Sequence, residues 1–136
     1  MRATAGSSER PRVLLVDDND AILARARAVL APACVVVGTA TDGPSALRAA
    51  EALLPDVIVL DISMPDMTGF EVAARLRQAG SMATIIFLTV HSEEDLVVTA
   101  RAAGITSYVV KPRLVLDVVH AVAEAHAGRG CVSPLR

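Results

Sequence analysis

Five short apolar runs recur along the chain: "VLLV" (13–16), "CVVVG" (34–38), "VIVL" (57–60), "IIFL" (85–88) and "SYVV" (107–110). Each is four or five residues long, rich in β-branched side chains and not strictly alternating. Strands buried on both faces read this way, and they occur in parallel sheets covered by helices on both sides. The intervening segments agree. "AILARARAVLA" (21–31) follows possible caps at Asn19 and Asp20. "PSALRAAEALL" (44–54) has proline near its first helical position after Asp42 and Gly43, and "FEVAARLRQAG" (70–80) stops at Gly80. "SEEDLVVTARAAG" (92–104) opens with Ser92-x-x-Asp95 and acids suited to the helix dipole, and "RLVLDVVHAVAEAHAG" (113–128) ends at Gly128. Strand and helix alternating five times predict a doubly wound α/β domain with right-handed crossovers.

A length of 136 residues suits one such domain. Residues 1–11 are small and polar and read as a disordered lead-in. The domain spans 12–128, and 129–136 form a C-terminal tail or the start of a linker. A net charge of −2 argues against a nucleic-acid-binding surface, which is usually basic. No apolar run is long enough to span a bilayer, and the first residues lack the apolar centre of a signal peptide, so a cytoplasmic location is expected. Cys34 and Cys131 have no metal-ligand spacing and read as a buried thiol and a tail thiol. Hydrophobic residues reach 53 %, yet the aromatics are one Tyr and two Phe. Ala and Val make up the excess, as in tightly layered helix-and-strand packing.

In such sheets ligands bind beyond the C-terminal ends of the strands. Asp17, Asp18, Asn19 and Asp20 follow the first run, Asp61 the third, Thr89 the fourth and Lys111 the fifth. If strand one neighbours strand three, Asp17, Asp18 and Asp61 converge. Two carboxylates about 4 Å apart repel by on the order of 4 kcal/mol at an effective dielectric near 20, so the cluster calls for a cation. Carboxylate ligands without His or Cys suit Mg²⁺ or Mn²⁺ and argue against zinc. Lys111 adds a positive charge and Thr89 a hydroxyl, which makes a receptor for a phosphoryl group with Asp61 as nucleophile. Singly, each has a plainer reading. Asn19 and Asp20 read as helix caps, Thr89 as a strand-end hydroxyl, Asp61 as a turn cap and Lys111 as a solvated charge. The right chemical type at each strand end is what favours a site.

"VLLVDDND", "VIVLDISMPDMTGFE", "FLTVHS" and "SYVVKP" resemble the response-regulator receiver domains of two-component signalling, over about residues 12–128. The resemblance implies a flavodoxin-like (βα)5 parallel sheet of strand order 2-1-3-4-5. It implies that Asp61 accepts a phosphoryl group from a sensor histidine kinase. Asp18 would bind the metal directly, with Asp17 nearby or through water, and the Ser63 backbone carbonyl would complete the protein ligands. Lys111 would pair with a phosphoryl oxygen. Thr89 would move to meet the phosphoryl group, and Tyr108 would turn inward behind it. The Lys111–Pro112 bond is expected to be cis. Such a protein is a signalling phospho-acceptor rather than an enzyme in the ordinary sense.

Val90 departs from the small residue usual after the switch Thr and would shield the phosphoryl group; His91 reads as an exposed loop residue. The apolar helix at 113–128 resembles that of receivers joined to a C-terminal helix-turn-helix. No DNA-binding module lies in these 136 residues, so the segment itself would not touch DNA. Val97, Leu114, Val115, Val118, Val119 and Val122 form a candidate homodimer or partner surface, against the alternative of a generously packed helix. A Mg²⁺-dependent aspartyl-phosphate hydrolase would need an acid two residues after the nucleophile, where Ser63 stands. A phosphorylation-independent interaction module sits poorly with Asp18, Asp61, Thr89 and Lys111 all in place. A dinucleotide site would need a Gly-rich first turn instead of an acidic one.

Overall fold

The computed structural model describes residues 10–90 and 107–128. Its strands are β1 (Arg12–Val16), β2 (Val35–Ala40), β3 (Val57–Asp61), β4 (Thr84–Thr89) and β5 (Tyr108–Val110). Its helices are α1 (Asp20–Leu30), α2 (Gly43–Leu53), α3 (Gly69–Gln78) and α4 (Leu114–His126), the last preceded by a 3₁₀ turn at Lys111–Arg113. All pairings are parallel and the order is β2-β1-β3-β4-β5, as expected. The helix read at 92–104, with Val97 and His91, lies outside the described residues, as does Cys131.

Strand side chains alternate between two cores. Val13, Leu15, Val57, Val59, Ile86 and Leu88 point to α1 and α4. Leu14, Val16, Ile58, Leu60, Ile85 and Phe87 point to α2 and α3. Both sets are buried, which is why the runs carry no polar alternation. Each fully buried Val or Leu contributes about 1.5–3 kcal/mol of transfer free energy. Asn19 caps α1, its side chain accepting from the N–H groups of Ala21 and Ile22. Asp42 caps α2 through the Ser45 N–H, with Pro44 in the first turn.

Three expectations need correction. Leu114, Val118 and Val122 face the core, and Val119 packs partly against it, so α4 spends its apolar stripe on β4 and α1 rather than on a partner. Only Val115 and Leu116 remain exposed there. Among the described residues no peptide bond is cis, so Lys111–Pro112 is trans. Proline narrows the gap between isomers, and its fixed φ suits the first position of a helical turn, where Pro112 sits. Finally, the fold takes hold before residue 12. Arg10 donates to the carbonyls of Ala31 and Cys34, and the Pro11 carbonyl accepts from the Val35 N–H. The Arg12 side chain likewise donates to the Leu53 carbonyl at the end of α2. Cations at helix C-termini satisfy carbonyls that the helix leaves open.

Candidate functional site

The β1–β3 register pairs Val16 with Leu60, so the next residues, Asp17 and Asp61, emerge side by side. Asp61 also pairs across β4 with Leu88, one residue before Thr89, and Thr89 pairs with Val110, one residue before Lys111. Four chemical groups from four strands thus reach one edge of the sheet. One carboxylate oxygen from each of Asp17, Asp18 and Asp61 lies within 4.8 Å of the others. Asp17 and Asp61 are buried, whereas Asp18 is exposed at the rim.

Lys111 is the cation of this cluster. Its Nζ lies 2.9 Å from Asp17 Oδ2 and 3.2 Å from Asp61 Oδ1. Burial works to lower the Lys111 pKa, but the two carboxylates outweigh it and the net direction is up, so it stays charged. Burial, then repulsion from Asp17, pushes Asp61 up to about 6 against the opposing pull of Lys111. One ammonium does not neutralise three carboxylates. Asp61 Oδ2 is buried and has no hydrogen-bond partner. An orphaned buried carboxylate oxygen costs several kcal/mol unless something positive meets it. The donor set is all oxygen and partly open at Asp18, which fits a hard divalent cation such as Mg²⁺.

The loops hold the acids in place. Asp17 Oδ1 accepts from the Asn19 N–H at 2.9 Å, and Asp61 Oδ1 accepts from the Ser63 N–H at 3.2 Å. The Ile62 N–H donates to the Leu88 carbonyl, tying the loop after Asp61 to β4. Thr89 is buried at the end of β4, and Val90 beyond it is 54 % exposed. Tyr108 is already buried, packed on the α2/α3 side with Phe87 and Met64.

The role of Gly69 is not visible in the sequence motif that contains it. A Cβ there would clash with the Asp61 carbonyl oxygen and stand 2.9 Å from Ile62 Cα. Its N–H donates to the Ile62 carbonyl, so α3 starts directly against the loop after Asp61. Thr68 and Glu71 form a capping box: the Glu71 N–H donates to Thr68 Oγ1 and the Thr68 N–H to Glu71 Oε1. The "TGFE" spacing was a readable signal for this box.

The family described as the response regulator receiver domain matches residues 13–123. Among curated proteins, the nitrate/nitrite response regulator protein NarL of Escherichia coli K12 is 33 % identical over 129 residues, covering 93 % of this chain and 60 % of that protein. The transcriptional regulatory protein PrrA of Mycobacterium tuberculosis H37Rv is 38 % identical over 120 residues, covering 88 % of this chain and 52 % of that protein. The chain therefore spans little more than half the length of these relatives. Among solved structures, the signal receiver domain of the putative response regulator NarL from Mycobacterium tuberculosis superposes with a TM-score of 0.83 at 32 % identity, over 89 % of this chain and 99 % of that one.

Proposed function

The chain belongs to the response-regulator receiver domain family, and from that premise we propose that it is the phospho-accepting switch of a two-component phosphorelay. Asp61 is the acceptor. The observation that carries this reading is Asp61 Oδ2, a buried, unpartnered carboxylate oxygen beside a lysine at the strand ends. That oxygen attacks the phosphorus of a sensor kinase phosphohistidine. The new P–O bond forms as the P–N bond breaks, and the imidazole leaves. Lys111 supports the charge that develops on the phosphoryl oxygens. Asp17, Asp18, Asp61 and the Ser63 carbonyl would hold Mg²⁺ or Mn²⁺, which supplies further charge neutralisation when bound. Thr89 donates its hydroxyl to the arriving group, and Tyr108 repacks behind it. The phosphoryl group shifts the equilibrium only through contacts made in one state, and these are the residues that make them.

On this reading residues 12–128 are the receiver, tied down by Arg10 and Pro11, with a lead-in before them and a tail or linker at 129–136. The protein works in the cytoplasm with a sensor histidine kinase, and its output is transcriptional, as the names of its relatives suggest. Among the described residues no helix is long and apolar enough to cross a membrane. The test is labelling by acetyl phosphate with Mg²⁺. Asp61→Asn is expected to abolish it, and a variant that still labels would refute the acceptor assignment.

A further inference from the structure

The loop between β3 and α3 meets the rest of the fold at a second tight place. Gly43, the first residue of α2, is buried. A Cβ built on it would stand 2.6 Å from Met67 Sδ, 2.7 Å from Met67 Cβ and 3.0 Å from Met67 Cγ. The Met67 side chain thus lies along the bare backbone of Gly43. Its neighbours Asp66 and Thr68 are exposed, so Met67 is what this part of the loop offers to α2. The two sides of the contact differ in freedom. On the α2 side, the Asp42 side chain accepts from the Ser45 N–H at 2.8 Å, and the Ala40 carbonyl accepts from the Asp17 N–H at 3.1 Å. Pro44 and the buried Ala46 and Ala50 fix the turns that follow. On the loop side, residues 63–67 belong to no helix or strand. A crowded Met67 Sδ can swing aside by changing rotamer. Its Cβ cannot, because the backbone places it. Relief of a clash at 2.7 Å from that Cβ must therefore come from moving the loop.

We propose that Gly43 and Met67 are positioning residues for the metal: the bare Gly43 backbone is the seat that sets where the loop carries Ser63. This rests on the receiver reading, in which the Ser63 carbonyl helps hold Mg²⁺. It adds that a residue on α2, away from the strand-end carboxylates, tunes that hold. Asp61 stands on β3, where pairing with β4 places it, so a shift of the loop acts first on metal affinity.

Titration calorimetry with Mg²⁺ on the unphosphorylated full chain reads that hold without any phosphoryl transfer. Gly43→Ala is expected to raise the Mg²⁺ dissociation constant about tenfold, as loss of a group that orients a metal ligand does. Met67→Ile widens the same contact from the loop side, by a branch at Cβ, and is expected to shift the constant in the same direction. Adding Met67→Gly to Gly43→Ala clears the clash, so the pair is expected to cost less than its two single changes summed. Gly38→Ala is the control. Its Cβ would meet Leu53 Cδ1 at 2.8 Å, the tip of a flexible side chain at the far end of α2. It is expected to leave the Mg²⁺ constant unchanged whatever it does to the melting temperature. A Gly43→Ala chain that melts lower yet keeps the wild-type constant overturns the proposal, and so do additive effects in the double variant. If Gly43→Ala does not fold, Met67→Ile decides alone, and an unchanged constant there is equally fatal. A wild type that binds no Mg²⁺, or an Asp61→Asn chain that still labels with acetyl phosphate, removes the receiver reading and this proposal with it.

Discussion

Asp61 meets two opposed demands. On the proposed reading it must be ionised to attack, yet it is buried beside another acid. Its pKa near 6, raised by burial and by Asp17, sets the pH dependence of both stability and reaction. Between about pH 4 and 6 the folded chain holds a proton that the unfolded chain has released. Stability therefore falls as pH rises through that window, and the cost is fully present above about 6. In metal-free buffer at pH 7, Asp61→Asn is expected to stabilise the fold by about 1–3 kcal/mol, since a two-unit shift corresponds to roughly that energy. The gain should vanish below pH 4, as urea unfolding at both pH values would show. A gain that persisted at pH 3.5 would mean the burial cost is not ionic. Val90 belongs to the same scale. It directly follows Thr89 at the end of β4 and is exposed. Val90→Ala is expected to speed loss of the phosphoryl group by roughly two- to tenfold, about 0.4–1.4 kcal/mol of barrier. An equal or slower rate in Ala would exclude shielding.

Among the elements, the junction between β3 and α3 is the most constrained. Gly69 leaves no space for a Cβ, because the backbone of Asp61 and Ile62 fills it. Gly69→Ala must push α3 away or twist the acceptor loop. The expected loss is about 1–3 kcal/mol of stability, in line with overpacking, and about a tenfold slower acetyl phosphate labelling from misplacing Asp61. Unchanged labelling would show that the loop adjusts without moving the acid. The strands and caps of this architecture were readable because burial on both faces leaves an unbroken apolar run, and because Asn19, Asp42 and Gly80 have local chemistry that declares a helix end. The strand-end acids were readable for a related reason, since a parallel sheet sends them all to one side. Which face of α4 is buried was not. Val115 and Val118 look alike in sequence, and only the packing of α1 and β4 separates the exposed one from the buried one. The grip of Arg10 and Arg12 on the ends of α1 and α2 was hidden too, because it joins residues more than 20 positions apart.

For the molecule as a whole, the charged cluster lies at one end of the sheet. The C-terminal edge carries excess negative charge around Asp61, and the rest of the fold holds that charge in place. A cation that binds only the folded chain stabilises it by mass action. At a hundred times its dissociation constant the gain is about 2.7 kcal/mol, or roughly 5–10 °C in melting temperature for a domain of this size. The shift with Mg²⁺ at pH 7.5 should shrink at pH 5, where Asp61 takes up a proton in place of the metal. Calorimetry with and without Mg²⁺ at both pH values would check this, and equal shifts would move the metal away from Asp61.

The packing of β5 has an optical consequence. The chain has no tryptophan and a single tyrosine, Tyr108, buried against Phe87 at the start of β5. Tyrosine emission therefore comes from one residue at one place in the fold, with no brighter chromophore to mask it. The unlabelled wild-type protein carries its own reporter, and stopped-flow fluorescence on adding acetyl phosphate would time the repacking of β5 that the proposed switch requires.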